Sequence, residues 1–157
     1  MTSGRKVARA LRAAYLALHR QTNDCLAGDG VTADQFVLLA ALAEADAVTQ
    51  QELVRRVGSD PNTVRAMLLL LEGRGLVARE RHPADGRARC VTLTETGRHV
   101  FKKLLTKSEP LRVRLMAAFR PREVTALVGL LRRVAEVMAP IPSNGRRTTK
   151  TKCSPGC

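Results

Sequence analysis

Residues 49–77 read TQQELVRRVGSDPNTVRAMLLLLEGRGLV, and their punctuation marks out two short helices joined by a tight turn. Thr49, with Glu52 three positions on, fits a capping box, in which a hydroxyl and a carboxylate satisfy the unpaired amides that open a helix. Leu53, Val54 and Val57 then recur at helical spacing, and Gly58 closes the segment. Asp60 can cap a second helix, Pro61 suits its first position, and Asn62 and Thr63 complete the first turn. Val64, Met67, Leu68 and Leu71 form its apolar stripe before Gly73 and Gly75 stop it. Two helices separated by little more than Gly58-Ser59-Asp60 describe a helix-turn-helix.

Working outward, the preceding stretch opens with Thr32-Ala33-Asp34-Gln35, a second capping-box pattern, followed by Phe36, Leu39, Ala40, Leu42 and Ala43 on a helix of about three turns. Before it, residues 5–26 place Val7, Leu11, Tyr15 and Leu18 at helical spacing, with basic residues between them, and Gly28 and Gly30 end the run. Downstream the period changes from helical to near alternation. Val77, Arg79 and Arg81 lead into Pro83-Ala84-Asp85-Gly86, and Arg89, Val91 and Leu93 return, which predicts a β-hairpin with a basic tip. Thr94 caps a long helix carrying Val100, Phe101, Leu104, Leu105, Leu111, Leu115 and Met116, with Pro110 as a candidate kink. Pro121 opens a last helix, apolar on more than one face, which predicts burial against a partner. Residues 140–157, rich in Pro, Gly, Ser, Thr and Lys, read as a disordered basic tail.

Composition agrees with this outline. The chain of 157 residues is 45% hydrophobic but only 3% aromatic, without tryptophan, so its core is built from Leu, Val and Ala, which favours helices over a β-sandwich. The expected fold class is mainly α with a small β-hairpin. Lysine and arginine number 27 against 14 acids, a net charge of +13, and such a surface seeks polyanions, chiefly nucleic acid. No run reaches the ~18 apolar residues of a membrane span, and the N-terminus lacks the pattern of a signal peptide, so a cytoplasmic protein is expected.

The stretch from Thr49 to Gly97 resembles the multiple-antibiotic-resistance regulator (MarR) family. The likeness rests on Asp60-Pro61-Asn62-Thr63-Val64, on Leu71-Glu72-Gly73-Arg74-Gly75-Leu76-Val77, on Arg81-His82-Pro83-Ala84-Asp85-Gly86-Arg87 and on Leu93-Thr94-Glu95-Thr96-Gly97. The weaker helical pattern on either side extends it over roughly residues 7–139. It implies one MarR-like domain over residues 1–139. A winged helix-turn-helix lobe would occupy about 31–97, and a helical dimerisation region about 5–30 and 98–139. The helix from Asp60 to Glu72 would enter the major groove, offering Asn62, Thr63, Arg65, Ala66 and Leu69 to base edges. Arg87 matches the arginine that relatives insert into the minor groove, and Asp85 the acid that orients it. Arg79, Arg81 and Arg89 would meet backbone phosphates. Where relatives carry a polar or charged pair, this chain has Leu69-Leu70. Either these positions turn inward or the DNA read is different.

The resemblance further implies a homodimer on an inverted-repeat operator, with Val7, Leu11, Leu127, Leu131 and Val134 as interface candidates that could equally be intramolecular core. Relatives often bind small effectors, and Tyr15, His19 and Phe36 lie in segments able to line such a cleft. The cysteines, Cys25, Cys90, Cys153 and Cys157, read as free thiols, and Cys25 lacks the setting of a redox sensor. No metal set, cofactor motif or catalytic set is recognisable, so no enzyme is expected. The expected function is a sequence-specific regulator of transcription, most often a repressor in this family. A non-specific nucleoid-like protein and a winged-helix interaction module without DNA binding are the alternatives.

Overall fold

A computed structural model describes residues 3–45, 47–81 and 89–139. Helix α1 spans Gly4–Leu26, a 3-10 turn Ala27–Asp29, α2 Ala33–Ala43, strand β1 Val48–Thr49, α3 Gln50–Val57, α4 Pro61–Gly73, β2 Val77–Arg81, β3 Arg89–Leu93, α5 Glu95–Ala117 and α6 Pro121–Met138. The chain divides into two compact units, Met1–Leu115 and Met116–Cys157.

The expected helix starts are present with their chemistry. Thr32 accepts from the Gln35 amide at 3.2 Å while the Gln35 side chain accepts from the Thr32 amide at 3.1 Å, a complete capping box. Thr49 accepts from the Glu52 amide at 3.2 Å, but the reciprocal half expected of Glu52 is missing. Its carboxylate is taken by Arg56, at 2.9 Å, and by Arg55, one turn along the same helix. The last turn of α4 closes through Gly75, whose φ of 70° a side chain would oppose, and Leu76 N–H returns to Leu71 C=O at 3.0 Å. Helix α5 continues across Pro110, expected as a kink site, as one element from Glu95 to Ala117.

The sheet is larger than the expected hairpin. Strands β2 and β3 pair antiparallel as foreseen, and β1 adds to the other edge of β3, with Val48 opposite Val91 and Thr49 opposite Cys90. Two residues are too few for alternation to be legible in a sequence, and the pairing is long-range. It matters because Thr49 then both ends the strand and caps α3, tying the helix-turn-helix to the sheet.

The core of the first unit gathers Leu26 from α1, Leu38, Leu39 and Leu42 from α2, Leu53 from α3, and Val64, Leu68 and Leu71 from α4, closed by Leu76, Val91, Leu93 and Leu104. It is aliphatic throughout, as the composition requires. Cys90 is buried among these residues and Cys25 is half-buried; neither forms a disulfide. Among the described residues no single helix is long and apolar enough to cross a membrane.

Asp29, in the 3-10 turn, anchors this turn to α5. Its carboxylate oxygens accept from Lys103 Nζ at 2.7 Å and Lys107 Nζ at 2.6 Å. These two ammonium groups hold its carboxyl at about 2, below its ordinary value. A carboxyl whose folded pKa is depressed stabilises the fold above its unfolded pKa, and that contribution fades as pH falls toward the folded value. Between about pH 4 and pH 2, wild-type protein should therefore lose thermal stability more steeply than Asp29→Asn. The two acid-titration curves, followed by helical circular dichroism, should converge at the low end.

Candidate nucleic-acid interface

The recognition candidate is α4, and its presentation follows from its cap. Asp60 Oδ1 accepts from the Thr63 amide at 2.9 Å and Oδ2 from the Thr63 hydroxyl, and this hydroxyl first, with the amide, lowers the Asp60 pKa. Pro61 occupies the first helical position without leaving an amide unpaired. Gly58, at φ 66°, turns the chain between α3 and α4 in a left-handed conformation that favours glycine. Behind the helix, Val64, Leu68 and Leu71 are fully buried.

The opposite face is open. With about 100° per residue, Asn62, Ala66, Leu69 and Gly73 fall along one line diametrically across from the buried stripe. All four are exposed, as are Thr63, Arg65 and Leu70. The alternative that the leucine pair turns inward is therefore excluded. Leu69 is 51% and Leu70 61% exposed. Thr63, expected at base edges, is exposed but has its hydroxyl donating to Asp60.

The strands present two further arginines. Arg81 and Arg89 are directly opposite in the β2–β3 register, both exposed, at the strand ends bordering residues 82–88. Like charges facing each other across an antiparallel pair repel by a few tenths of a kcal/mol to about 1 kcal/mol. An anion between them removes that penalty. Asp85 and Arg87, the expected minor-groove pair, lie outside the described residues. Arg79 departs from the expectation that it meets phosphate. Its side chain is only 20% exposed and its Nε lies 3.3 Å from Glu72 Oε2, so the guanidinium packs onto the end of α4. Nε and Nη2 are buried without a hydrogen-bond partner among the described residues, so Glu72 holds the guanidinium by charge rather than by a formed hydrogen bond, coupling β2 to α4.

The three ligand candidates converge on one cavity of about 240 Å³ lined by Tyr15, His19 and Phe36 with Leu18, Asp34 and Leu111 among its other walls. Phe36 stacks against Phe101 with ring centres 5.8 Å apart, and Tyr15 against His19 at 5.4 Å. Sequence reasoning missed Asn23 and Asp34, which orient the histidine. Ala33 N–H donates to Asn23 Oδ1 at 2.7 Å, so the Asn23 NH2 group faces His19 Nδ1, at 3.1 Å. The Nδ1 atom accepts, and Nε2 carries the proton that it donates to Asp34 Oδ2 at 3.2 Å. Burial, and then the Asp34 carboxylate, raise the Tyr15 pKa. The spacing of Asn23 four residues after His19 was the available signal. Its link to the start of α2 was not visible along the chain.

A capped helix-turn-helix, an exposed second helix and a basic two-stranded ribbon define a winged helix-turn-helix DNA-binding protein. Comparison with known proteins gives the family. Residues 31–88 match the MarR family pattern. The chain is 30% identical over 105 residues to the HTH-type transcriptional regulator YdgJ of Bacillus subtilis, covering 67% of this chain but only 64% of that protein. Among solved structures it is similar to Bordetella bronchiseptica BpsR, with 30% identity, a TM-score of 0.75, and coverage of 87% of this chain and 97% of that one. It is likewise similar to a mutant MarR from E. coli complexed with operator DNA, at 27% identity and TM-score 0.72, covering 82% of this chain and 92% of that one. The chain belongs to the MarR family of transcriptional regulators.

Proposed function

We propose that this protein is a cytoplasmic, homodimeric repressor, without enzymatic activity, that binds an inverted-repeat operator in double-stranded DNA and leaves it when a small molecule occupies the cavity around Tyr15, His19 and Phe36. The observation that carries the DNA reading is the face of α4, where Asn62, Arg65, Ala66 and Leu69 are exposed directly behind a fully buried stripe. Asn suits adenine and Arg suits guanine in the major groove. Arg81 and Arg89 take the phosphates beside the minor groove, and Asp85 and Arg87, in the sequence between them, supply the minor-groove contact.

Dimerisation is supported by apolar side chains left open. Val7 of α1 is 46% exposed, and Leu127, Leu131 and Val134 of α6 are 37%, 43% and 37% exposed; Leu11 is half-buried. Helix α6 contains no buried residue at all. Such faces call for a second copy, and residues 1–139 would then act as one dimerising unit with a basic tail behind it. The relatives support operator binding and its control by a small molecule, since the mutant E. coli MarR was crystallised on operator DNA and BpsR has its DNA binding regulated by 6-hydroxynicotinic acid.

Selection from random duplex DNA tests it, with binding measured at about 150 mM salt against excess unrelated DNA. Wild-type protein should enrich an inverted repeat and hold it against competitor. Arg65→Ala should weaken the selected site by roughly tenfold to a hundredfold and relax the preference for one base pair in each half. Equal loss of both proteins to unrelated competitor would instead establish non-specific, nucleoid-like binding.

A further inference from the structure

Hydrogen-bond readout does not account for the middle of the open face of α4. Ala66, Leu69 and Leu70 stand at positions i, i+3 and i+4, so their side chains adjoin in a continuous apolar strip. The core does not need them, because Val64, Leu68 and Leu71 already fill the buried stripe. Both leucines nonetheless remain more than half exposed, at 51% and 61%. The strip is continuous with the polar part of the same face. Asn62 lies two turns before Leu69 on the same line, and the exposed Arg65 flanks it.

A leucine neither donates nor accepts a hydrogen bond, so it cannot choose among the acceptors and donors that guanine, adenine and cytosine display. The apolar group that the major groove offers is the C5 methyl of thymine. We propose that Leu69 and Leu70 read thymine methyl groups in each half-site, so that specificity there depends on a methyl rather than on a hydrogen-bonding edge. This rests on the DNA-binding reading above. The strip's continuity with Asn62 and Arg65, on a chain of net charge +13, makes DNA its occupant. The position of the effect also follows. Seven residues at 1.5 Å rise place Leu69 about 10 Å along the helix from Asn62. For a helix lying along the groove, that is about three base pairs at 3.4 Å each.

Uracil keeps every hydrogen-bonding edge of thymine and lacks only the methyl. With a fragment selected from random duplex DNA, each thymine is replaced singly by uracil, and binding of the full chain is measured. Affinity should fall about fourfold for each methyl that Leu69 or Leu70 covers. These positions should lie about three base pairs from those sensitive to Asn62→Ala. The double variant Leu69→Ala, Leu70→Ala should bind the thymine and uracil forms equally well there. Arg65→Ala, though weaker overall, should retain the difference between them. Both leucines are exposed and alanine favours helix, so the double variant keeps its fold, which matching circular dichroism verifies. A selected site with no methyl-sensitive position, or with a sensitivity that survives the double substitution, overturns the proposal while leaving specific DNA binding intact. Failure to select any fragment overturns both.

Discussion

Gly97→Ala is expected to unfold the DNA-binding lobe well below the wild-type melting temperature. A Cβ at residue 97 would lie 1.9 Å from the Leu76 carbonyl oxygen and 2.9 Å from its carbonyl carbon, both of them backbone atoms. A flexible side chain could move away; this carbonyl cannot move freely. It accepts the Thr94 amide at 3.1 Å, while the Thr94 hydroxyl donates to Gly75 C=O at 2.6 Å and accepts from the Gly97 amide at 2.9 Å. The end of α4, the start of β2 and the first turn of α5 thus converge on a position where no side chain fits. Forcing them apart should cost about 3 kcal/mol, at the upper end for overpacking. In a chain of this size that lowers Tm by roughly 10 °C. A melt of Gly97→Ala within a degree or two of wild type would show that α5 can slide away from Leu76 without loss.

Removing both wing arginines should separate stability from DNA binding. Arg81→Gln with Arg89→Gln deletes two like charges that face each other across β2 and β3. The free protein should melt at the same temperature or slightly higher, because the cross-strand repulsion disappears. DNA affinity should move the other way. If each arginine contacts one phosphate, a dimer loses about four contacts, and the slope of log affinity against log salt should flatten by about 3.6. At about 1 kcal/mol per charge-assisted contact, affinity at physiological salt should drop by roughly a thousandfold. Unchanged affinity and slope in this variant would remove the wing strands from the DNA interface.

The candidate site was legible to different depths in different places. The face of α4 was readable because its cap and its buried stripe are both local, and a helix converts spacing into direction. The direction in which Leu69 and Leu70 point was the one ambiguity, and it depended on where the stripe centres. Arg79 is held inward against Glu72, whereas Arg81 and Arg89 are exposed at the strand ends. Alternation puts Arg79, Arg81 and Arg89 on one face of the ribbon, but how far along the strands that face is covered by the end of α4 depends on a helix elsewhere in the chain. Glu72, which captures the Arg79 guanidinium, precedes it by a turn, and its role cannot be seen in either segment alone. His19 is similar, since its partners Asn23 and Asp34 come from two helices.

By itself the sequence determined the helix starts, the helix-turn-helix, the hairpin, the aliphatic core and the excess of positive charge. Each of these follows from interactions within a few residues, or from composition, and so survives being read in one dimension. Folding in three dimensions was needed for β1 to complete a three-stranded sheet, for Glu52 to answer Arg55 and Arg56 instead of its own cap, and for Arg79 to be held inward. It also brought Tyr15, His19 and Phe36 to one cavity and set Gly97 against Leu76. These outcomes depend on competition among partners, or on close approach between segments far apart in the chain. Local spacing carries no information about either.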